Sequence, residues 1–431
     1  MTSEADIVAS KVLDGFNRLP AKKKPQTRDN GTREWVPLAG IVAKHGDGSY
    51  KCLALATGMK CLPLSKLPLA NGHVLHDWHA EVLAIRAFNH FILEQCRELA
   101  ANPNTTSSYV RHMVQTNAEA DQMSRLPFVW NEDVTLHMYC SEAPCGDASM
   151  ELIMAAQQDA APWEAPLSER MMAKNKGCVP NTTAIDSPID GFTPDLLLLG
   201  RACFSHLGVV RRKPARPDAP PTLSKSCSDK LALKQCTSLL NSLSSLLVSP
   251  RGVYLTSLAL PKSQFSETAC TRCFTPGGRM AAVQDDMIAK WQGGYEFHPF
   301  EVHTTGLEFA FSRRRGAEDE SDNIKYVASN LAIAWTANGL TENIVGGVLQ
   351  GRKPTDPRGG SRLSRKALWQ LASGIASCVG GPDLVPSGNA YKELKHGQGL
   401  AHRRVVKQDV TAQALKGWVR NIGDDGHVLH P

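Results

Sequence analysis

Two rhythms of apolar spacing organise this chain. Short apolar runs bounded by turn residues predict strands near Pro37–Ala43 and over Tyr50–Thr57, joined across His45-Gly46-Asp47-Gly48. From His79 to Leu99 the positions Val82, Leu83, Ile85, Phe88, Phe91, Ile92 and Cys96 recur at helical spacing, which predicts a long amphipathic helix. Val134–Tyr139 alternates as a strand does, and Ala148–Gln158 returns to a helical pattern. Further on, Cys227–Val248 reads as a helix, Gly252–Leu260 as a strand, and 307–312 and 326–336 as two more strands. Helices over Ser361–Ala376 and Val405–Val419 close the chain. Strands alternating with helices predict an α/β sheet with helices on its faces.

Between these segments the pattern lapses into Pro, Ser, Asn and charged residues at 101–131, 160–190, 211–225 and 313–325, which read as loop insertions in a single domain spanning 1–431. With 431 residues, 42% hydrophobic and 21% charged, the chain can bury a large core, which sets disorder aside. The net charge of +6, from 48 Lys+Arg against 42 Asp+Glu, permits nucleic-acid binding without demanding it. The opening MTSEADIVASKVLDG lacks a basic segment followed by an apolar one, and no apolar run nears the ~18 residues of a membrane span. A non-secreted protein of the cytosol or nucleus, without a membrane, is therefore the expectation. Its 12 cysteines are then expected as thiols, most of them small buried residues and a few free to bind metal.

The densest chemistry lies in Asp77-Trp78-His79-Ala80-Glu81, at the start of the long helix. H-x-E at a helix start, followed later by P-C, is the pattern of zinc deaminases of nucleosides and nucleobases. Zinc takes neutral imidazole and thiolates and keeps one position for water. Deamination also needs a carboxyl group to move the water's proton to the ring nitrogen and the leaving amine. His and Glu two apart do not share a helix face, so such a site must lie at the helix N-terminus.

A second piece, Ser141-Glu142-Ala143-Pro144-Cys145-Gly146-Asp147, follows the strand VTLHMY and precedes a helix, where the N-terminus favours a thiolate. In nucleoside deaminases another cysteine comes three residues later, and here that position is Ala148. Either the metal site is incomplete or a distant cysteine completes it. Cys227, in Ser226-Cys227-Ser228-Asp229-Lys230 at another predicted helix start, is the supplier chosen. The pair Cys270-Thr271-Arg272-Cys273 has no second Cys or His pair nearby and reads as structural.

Together, H-A-E, S-E-x-P-C-G-D and S-C-S-D-K resemble the RNA-editing adenosine deaminases. LPAKKKPQ, REWVPLAGIV and CGDASM resemble the tRNA adenosine deaminase branch, whose members act next to the anticodon. The resemblance runs from about residue 7 to residue 421. It implies a cytidine-deaminase-like three-layer α/β/α fold with a central mixed sheet, extended by a C-terminal α/β region. It implies zinc on His79, Cys145 and Cys227, with Glu81 as general acid/base, acting on adenosine in tRNA to give inosine. It also implies a buried inositol hexakisphosphate held by Lys60, Arg86, Lys230, Arg365, Tyr391, Lys395 and Trp418. Three positions depart from the family's pattern for that ligand: Ile85, Leu233-Lys234-Gln235 and Ala401, for which Lys234, Arg403, Arg404 or Lys407 would compensate. Asp77 would link Lys230 to the metal site or cap the helix. Arg211, Arg212, Lys213 and Arg216, and secondarily Lys22-Lys23-Lys24, are the expected phosphate contacts to RNA. No obligate protein partner is implied. The competing readings are an adenosine deaminase acting on other structured RNA, a nucleoside or free-base deaminase, which Ala148 argues against, and a non-catalytic RNA-binding protein, which the intact His79, Glu81, Cys145 and Cys227 argue against.

Overall fold

The computed structural model describes residues 2–102, 104–113, 126–155, 198–199, 206–213, 219–313, 325–388 and 390–429. In chain order its helices are α1 Glu4–Asn17, α2 Ala80–Ala101, α3 Met150–Ala155, α4 Cys227–Thr237, α5 Glu267–Phe274, α6 Asp285–Ile288, α7 Arg365–Cys378, α8 Tyr391–His396 and α9 Ala401–Gln413. The strands are β1 Arg33–Trp35, β2 Leu38–Lys44, β3 Tyr50–Thr57, β4 Val110–His112, β5 Phe128–Trp130, β6 Thr135–Cys140, β7 Leu198–Leu199 and β8 Arg211–Arg212. They continue with β9 Leu255–Pro261, β10 Glu301–Thr305, β11 Tyr326–Ala328, β12 Ala332–Thr336, β13 Thr341–Val345 and β14 Val348–Leu349.

Eight strands form one mixed sheet in the order β10-β9-β6-β2-β3-β12-β13-β14. The pairings of β10 with β9 and of β9 with β6 are parallel, and the others are antiparallel. Helix α1 covers one face, where Val8, Val12 and Phe16 pack on Leu38, Val42, Leu55 and Tyr139. Helix α2 covers the other, its Leu83, Ala87 and Phe88 sharing a core with Ile41, Ala43 and Leu53. This is the expected mixed sheet between helical layers. A register slip between Ile41 and Val42 leaves Leu53 as an extra residue of β3, so Leu53 and Ala54 both join the α2 core. Gly40 lets α1 approach closely: a Cβ there would stand 2.6 Å from Val12 Cγ1.

Several elements depart from the sequence pattern. Helix α1 was not anticipated; Ser3 caps it, its side chain accepting from the Asp6 N–H. The expected loop at 101–131 contains the antiparallel pair β4–β5. The helix expected over Cys227–Val248 stops at Thr237, because Ser238 turns the backbone to φ +55, and only a 3-10 turn follows at Ser244–Leu246. The expected strand at 307–312 is absent; the edge strand is β10, just before it. The expected strand at 326–336 divides into β11, paired with β1, and β12 in the main sheet. The last helix begins at Ala401 and ends at Gln413, and the one before it starts at Arg365, where the Ser364 side chain accepts from the Ala367 N–H. The expected insertion at 160–190 lies outside the described residues.

Candidate active site

Three chain segments meet where β3 and β6 leave the sheet and α2 and α4 begin. His79 occupies the N-cap of α2 in extended conformation, so its ring projects from the helix end. Glu81 follows in the first turn and is buried. The close passage of β3 over this turn requires Gly58: its φ is +143, its carbonyl accepts from the Ala80 N–H at 2.9 Å, and a Cβ would fall 2.1 Å from the Trp78 carbonyl oxygen. Cys145 comes from the loop after β6, and Cys227 opens α4, capped by Ser226. Gly146 (φ +103) lets the two cysteine loops touch, since a Cβ would meet Ser226 Oγ at 2.3 Å. Ser228 fastens them further, donating to the carbonyls of Pro144 at 2.8 Å and Cys145 at 3.0 Å.

His79 Nδ1 lies 3.7 Å from Cys145 Sγ, and the ligand atoms of His79, Cys145 and Cys227 all fall within 4.8 Å of one another. Two donors on a tetrahedral zinc, one sulfur and one nitrogen, stand about 3.6 Å apart. The set is therefore able to hold a metal ion. Cys61, Asp77 and His79 also cluster. The Asp77 carboxylate is otherwise engaged: it accepts from Lys213 Nζ at 2.9 Å and from Ser224 Oγ at 2.6 Å, and it pairs with Lys230. Burial alone would raise the Asp77 carboxyl, yet Lys213 and Lys230 hold it well below the usual carboxylate range. Lys213 also reaches Cys227 Sγ at 3.2 Å. A hydrogen bond from Cys227, with Lys213 and His79 nearby, holds the buried Cys145 thiol well below its ordinary value. Burial, and then the Cys145 charge, pushes the Glu81 carboxyl up, the direction that suits a proton-transferring group at neutral pH.

Beside this site lies a partly buried basic cluster, with Lys225 fully inside it. Arg86 of α2 donates to the Leu363 carbonyl at 2.6 Å, and burial followed by the Arg365 charge lowers it to about 10. Arg365 bonds the Asp424 carbonyl at 2.7 Å and lies 5.0 Å from the centre of the Tyr391 ring. Lys395 stands 5.8 Å from that same ring, and Lys225 and Lys407 stand 5.2 and 5.5 Å from the Trp418 ring. Lys234 spends its hydrogen bonds on the carbonyls of Leu239 and Leu240, and Arg403 shares the latter. Burial, then mutual repulsion, lowers Lys395 to about 8 and Lys407 to about 7, and pushes Lys225 and Lys234 well down. Cations gathered this way, partly out of water, call for an anion between them.

The adenosine-deaminase (editase) domain matches residues 54–422 of this chain. The chain belongs to the adenosine-deaminase (editase) family. It is 33% identical to a tRNA-specific adenosine deaminase 1 of Schizosaccharomyces pombe, over 97% of this chain and 96% of that protein. A protein of the same description from Saccharomyces cerevisiae is 34% identical over 55% of this chain and 53% of its own length. The human one is 25% identical over 97% and 98%.

The editase domain brings together the expected metal ligands and Glu81, and six of the seven residues expected around the polyanion. Lys60 is the exception: it is exposed and its ammonium bonds Asn330, which removes it from the buried cluster. Lys234, Arg403 and Lys407 stand in the cluster as anticipated, whereas Arg404 turns to the carbonyls of Lys395 and Gly397. Lys225 was missed. The phosphate contacts need correction as well. Arg211, Arg212 and Lys213 are buried at 0%, 7% and 3% exposure, because this segment is hydrogen-bonded to Ser224–Ser226, just before Cys227. Arg211 N–H donates to Asp229 and Lys213 faces Asp77, so neither lines an RNA-facing surface. Arg216 lies outside the described residues. Cys270 and Cys273 are buried thiols on α5, as expected of structural cysteines. Among the described residues no helix is long and apolar enough to cross a membrane.

Proposed function

We propose that this chain is a zinc-dependent hydrolase that converts adenosine to inosine in tRNA, at the position 3′ to the anticodon. The convergence of one imidazole and two thiolates beside a buried carboxyl group carries the chemistry. Relatives described as tRNA-specific adenosine deaminases support the substrate. An unpaired anticodon-loop base costs less to turn out of its stack than a base in a duplex.

His79, Cys145 and Cys227 would hold the zinc, which when bound would supply an acidified water as nucleophile. Glu81 would take a proton from the attacking water and pass it to the adenine ring nitrogen beside carbon 6. A second transfer through the same carboxyl group reaches the exocyclic nitrogen. Water oxygen ends on carbon 6, the bond from that carbon to nitrogen breaks, and ammonia leaves. Lys213 and Asp77 keep the Cys227 loop and the α2 N-terminus in register through their direct bonds.

The basic cluster supports inositol hexakisphosphate as a second resident group, held by Arg86, Lys230, Arg365, Tyr391, Lys395 and Trp418 with Lys225, Lys234, Arg403 and Lys407. Arg216 and Lys22-Lys23-Lys24 remain as phosphate contacts for RNA, and a cytosolic or nuclear location belongs to the same proposal.

Incubating the purified chain with bulk tRNA and mapping inosine in the products tests the assignment. Inosine beside the anticodon, absent with Glu81→Gln, is the expected result. Consumption of free adenosine with no inosine in any tRNA would overturn it.

A further inference from the structure

The metal reading leaves one conspicuous arrangement unused. Each cysteine ligand is followed two residues later by an aspartate, Asp147 after Cys145 and Asp229 after Cys227, and both are fully buried. Each aspartate meets an arginine from one short stretch of chain, α5 and the 3-10 turn Arg279–Ala282. Arg272 Nε donates to Asp147 Oδ2 at 2.9 Å and its Nη2 to the Asp147 carbonyl at 3.1 Å. The same guanidinium grips Glu151 of α3, donating to Oε2 at 3.0 Å. Arg279 Nη1 donates to Asp229 Oδ1 at 2.6 Å, while its Nε donates to the Cys273 carbonyl at 3.0 Å. Cys273 Sγ in turn lies 3.1 Å from Asp147 Oδ2. Both aspartates also hold backbone: Asp147 accepts from the Gly208 N–H at 3.0 Å, and Asp229 from the Arg211 N–H at 2.9 Å. The two thiolate loops are thus tied to a single rigid unit rather than only to each other.

We propose that Arg272 and Arg279 are positioning residues that set the separation of the two metal-binding sulfurs. This rests on the reading of His79, Cys145 and Cys227 as one metal site. Each guanidinium bonds both its aspartate and a backbone carbonyl beside it, which fixes direction as well as distance and which a lysine cannot reproduce. The C-x-x-C segment then owes its place to the arginine between its cysteines, helped by the Cys273 thiol on Asp147.

Cobalt(II) titration of the metal-stripped full chain tests this, because the thiolate-to-cobalt absorption band reports sulfur geometry and the titration reports affinity. Arg279→Met and Arg272→Met are expected to shift or broaden the band and to weaken binding by about 10- to 100-fold, the usual cost of losing a group that orients a metal ligand. Arg279→Lys, which keeps the charge, is expected to fall between wild type and Arg279→Met and serves where the latter fails to fold. Phe16→Leu, in the remote α1 core, serves as a control for general destabilisation and is expected to keep the wild-type band. Unchanged band and affinity in the arginine variants would overturn the proposal. So would an equal change in the Phe16 variant. A wild-type chain showing no thiolate-to-cobalt band would instead remove the metal site on which the proposal stands.

Discussion

Glu81 and Lys213 show how much a single side chain's surroundings decide. A carboxyl group buried next to the Cys145 thiolate is pushed toward neutrality, so it can give a proton back after taking one. Glu81→Gln keeps shape and removes this exchange. Turnover on tRNA is expected to fall at least about 10²- to 10⁴-fold, with zinc content by elemental analysis unchanged. Lys213 makes a contrasting case. If its ammonium serves Asp77 and Cys227, Lys213→Met leaves a buried carboxylate short of a partner and costs about 3 kcal/mol of stability in a denaturant titration. The salt dependence of tRNA binding should then stay as in wild type, whereas a phosphate contact would lower its slope by about one unit. His79, Glu81, Cys145 and Cys227 were legible because their residue types at helix starts already specify a chemistry. Lys213 was not, because a lysine after two arginines and before a proline reads as solvated. Its carboxylate partner is 136 residues away in sequence.

At the scale of elements, periodicity revealed what packing made periodic. Helix α2 and strands β2, β3 and β6 are flanked by apolar layers and appeared nearly at their observed bounds. Strands β4 and β5 have three residues each, too few for alternation to register. The apolar spacing of LLNSLSSLLV continues past the end of α4 because those leucines still enter the core, although the backbone has already turned at Ser238. Helix starts matter most for the site. Gly58→Ala is expected to cost more than about 1 kcal/mol in thermal or denaturant unfolding, since the residue is both at positive φ and against the Trp78 carbonyl. The purified variant should also retain less zinc, because the α2 N-terminus carrying His79 must shift.

On the scale of the whole molecule, α2 and α4 carry both sites: His79 and Cys227 at their starts, and the basic residues Arg86, Lys230 and Lys234 further along them. The cluster's cations come from 86 to 407 in the sequence, so their neighbourhood was visible only through family resemblance. Its pH dependence follows from the lowered lysines. Without an anion, the folded chain binds fewer protons than the unfolded chain between the folded values of about 7 for Lys407 and about 8 for Lys395 and the ordinary lysine range. These groups therefore make stability rise with pH across that window, with their full penalty present below about pH 7. Inositol hexakisphosphate should raise Tm most at the low end of the window and flatten this rise, as read by calorimetry with and without the ligand. A ligand-independent slope would mean that the cluster does not hold the anion.

One metal held by three distant stretches of chain underlies the proposed chemistry, and X-ray absorption at the zinc K-edge of the purified chain measures this directly. Two sulfurs near about 2.3 Å together with nitrogen or oxygen near about 2.0 Å are predicted, with one of the sulfurs lost in Cys227→Ala. A shell of oxygen and nitrogen alone, or a spectrum unchanged by Cys227→Ala, would contradict it.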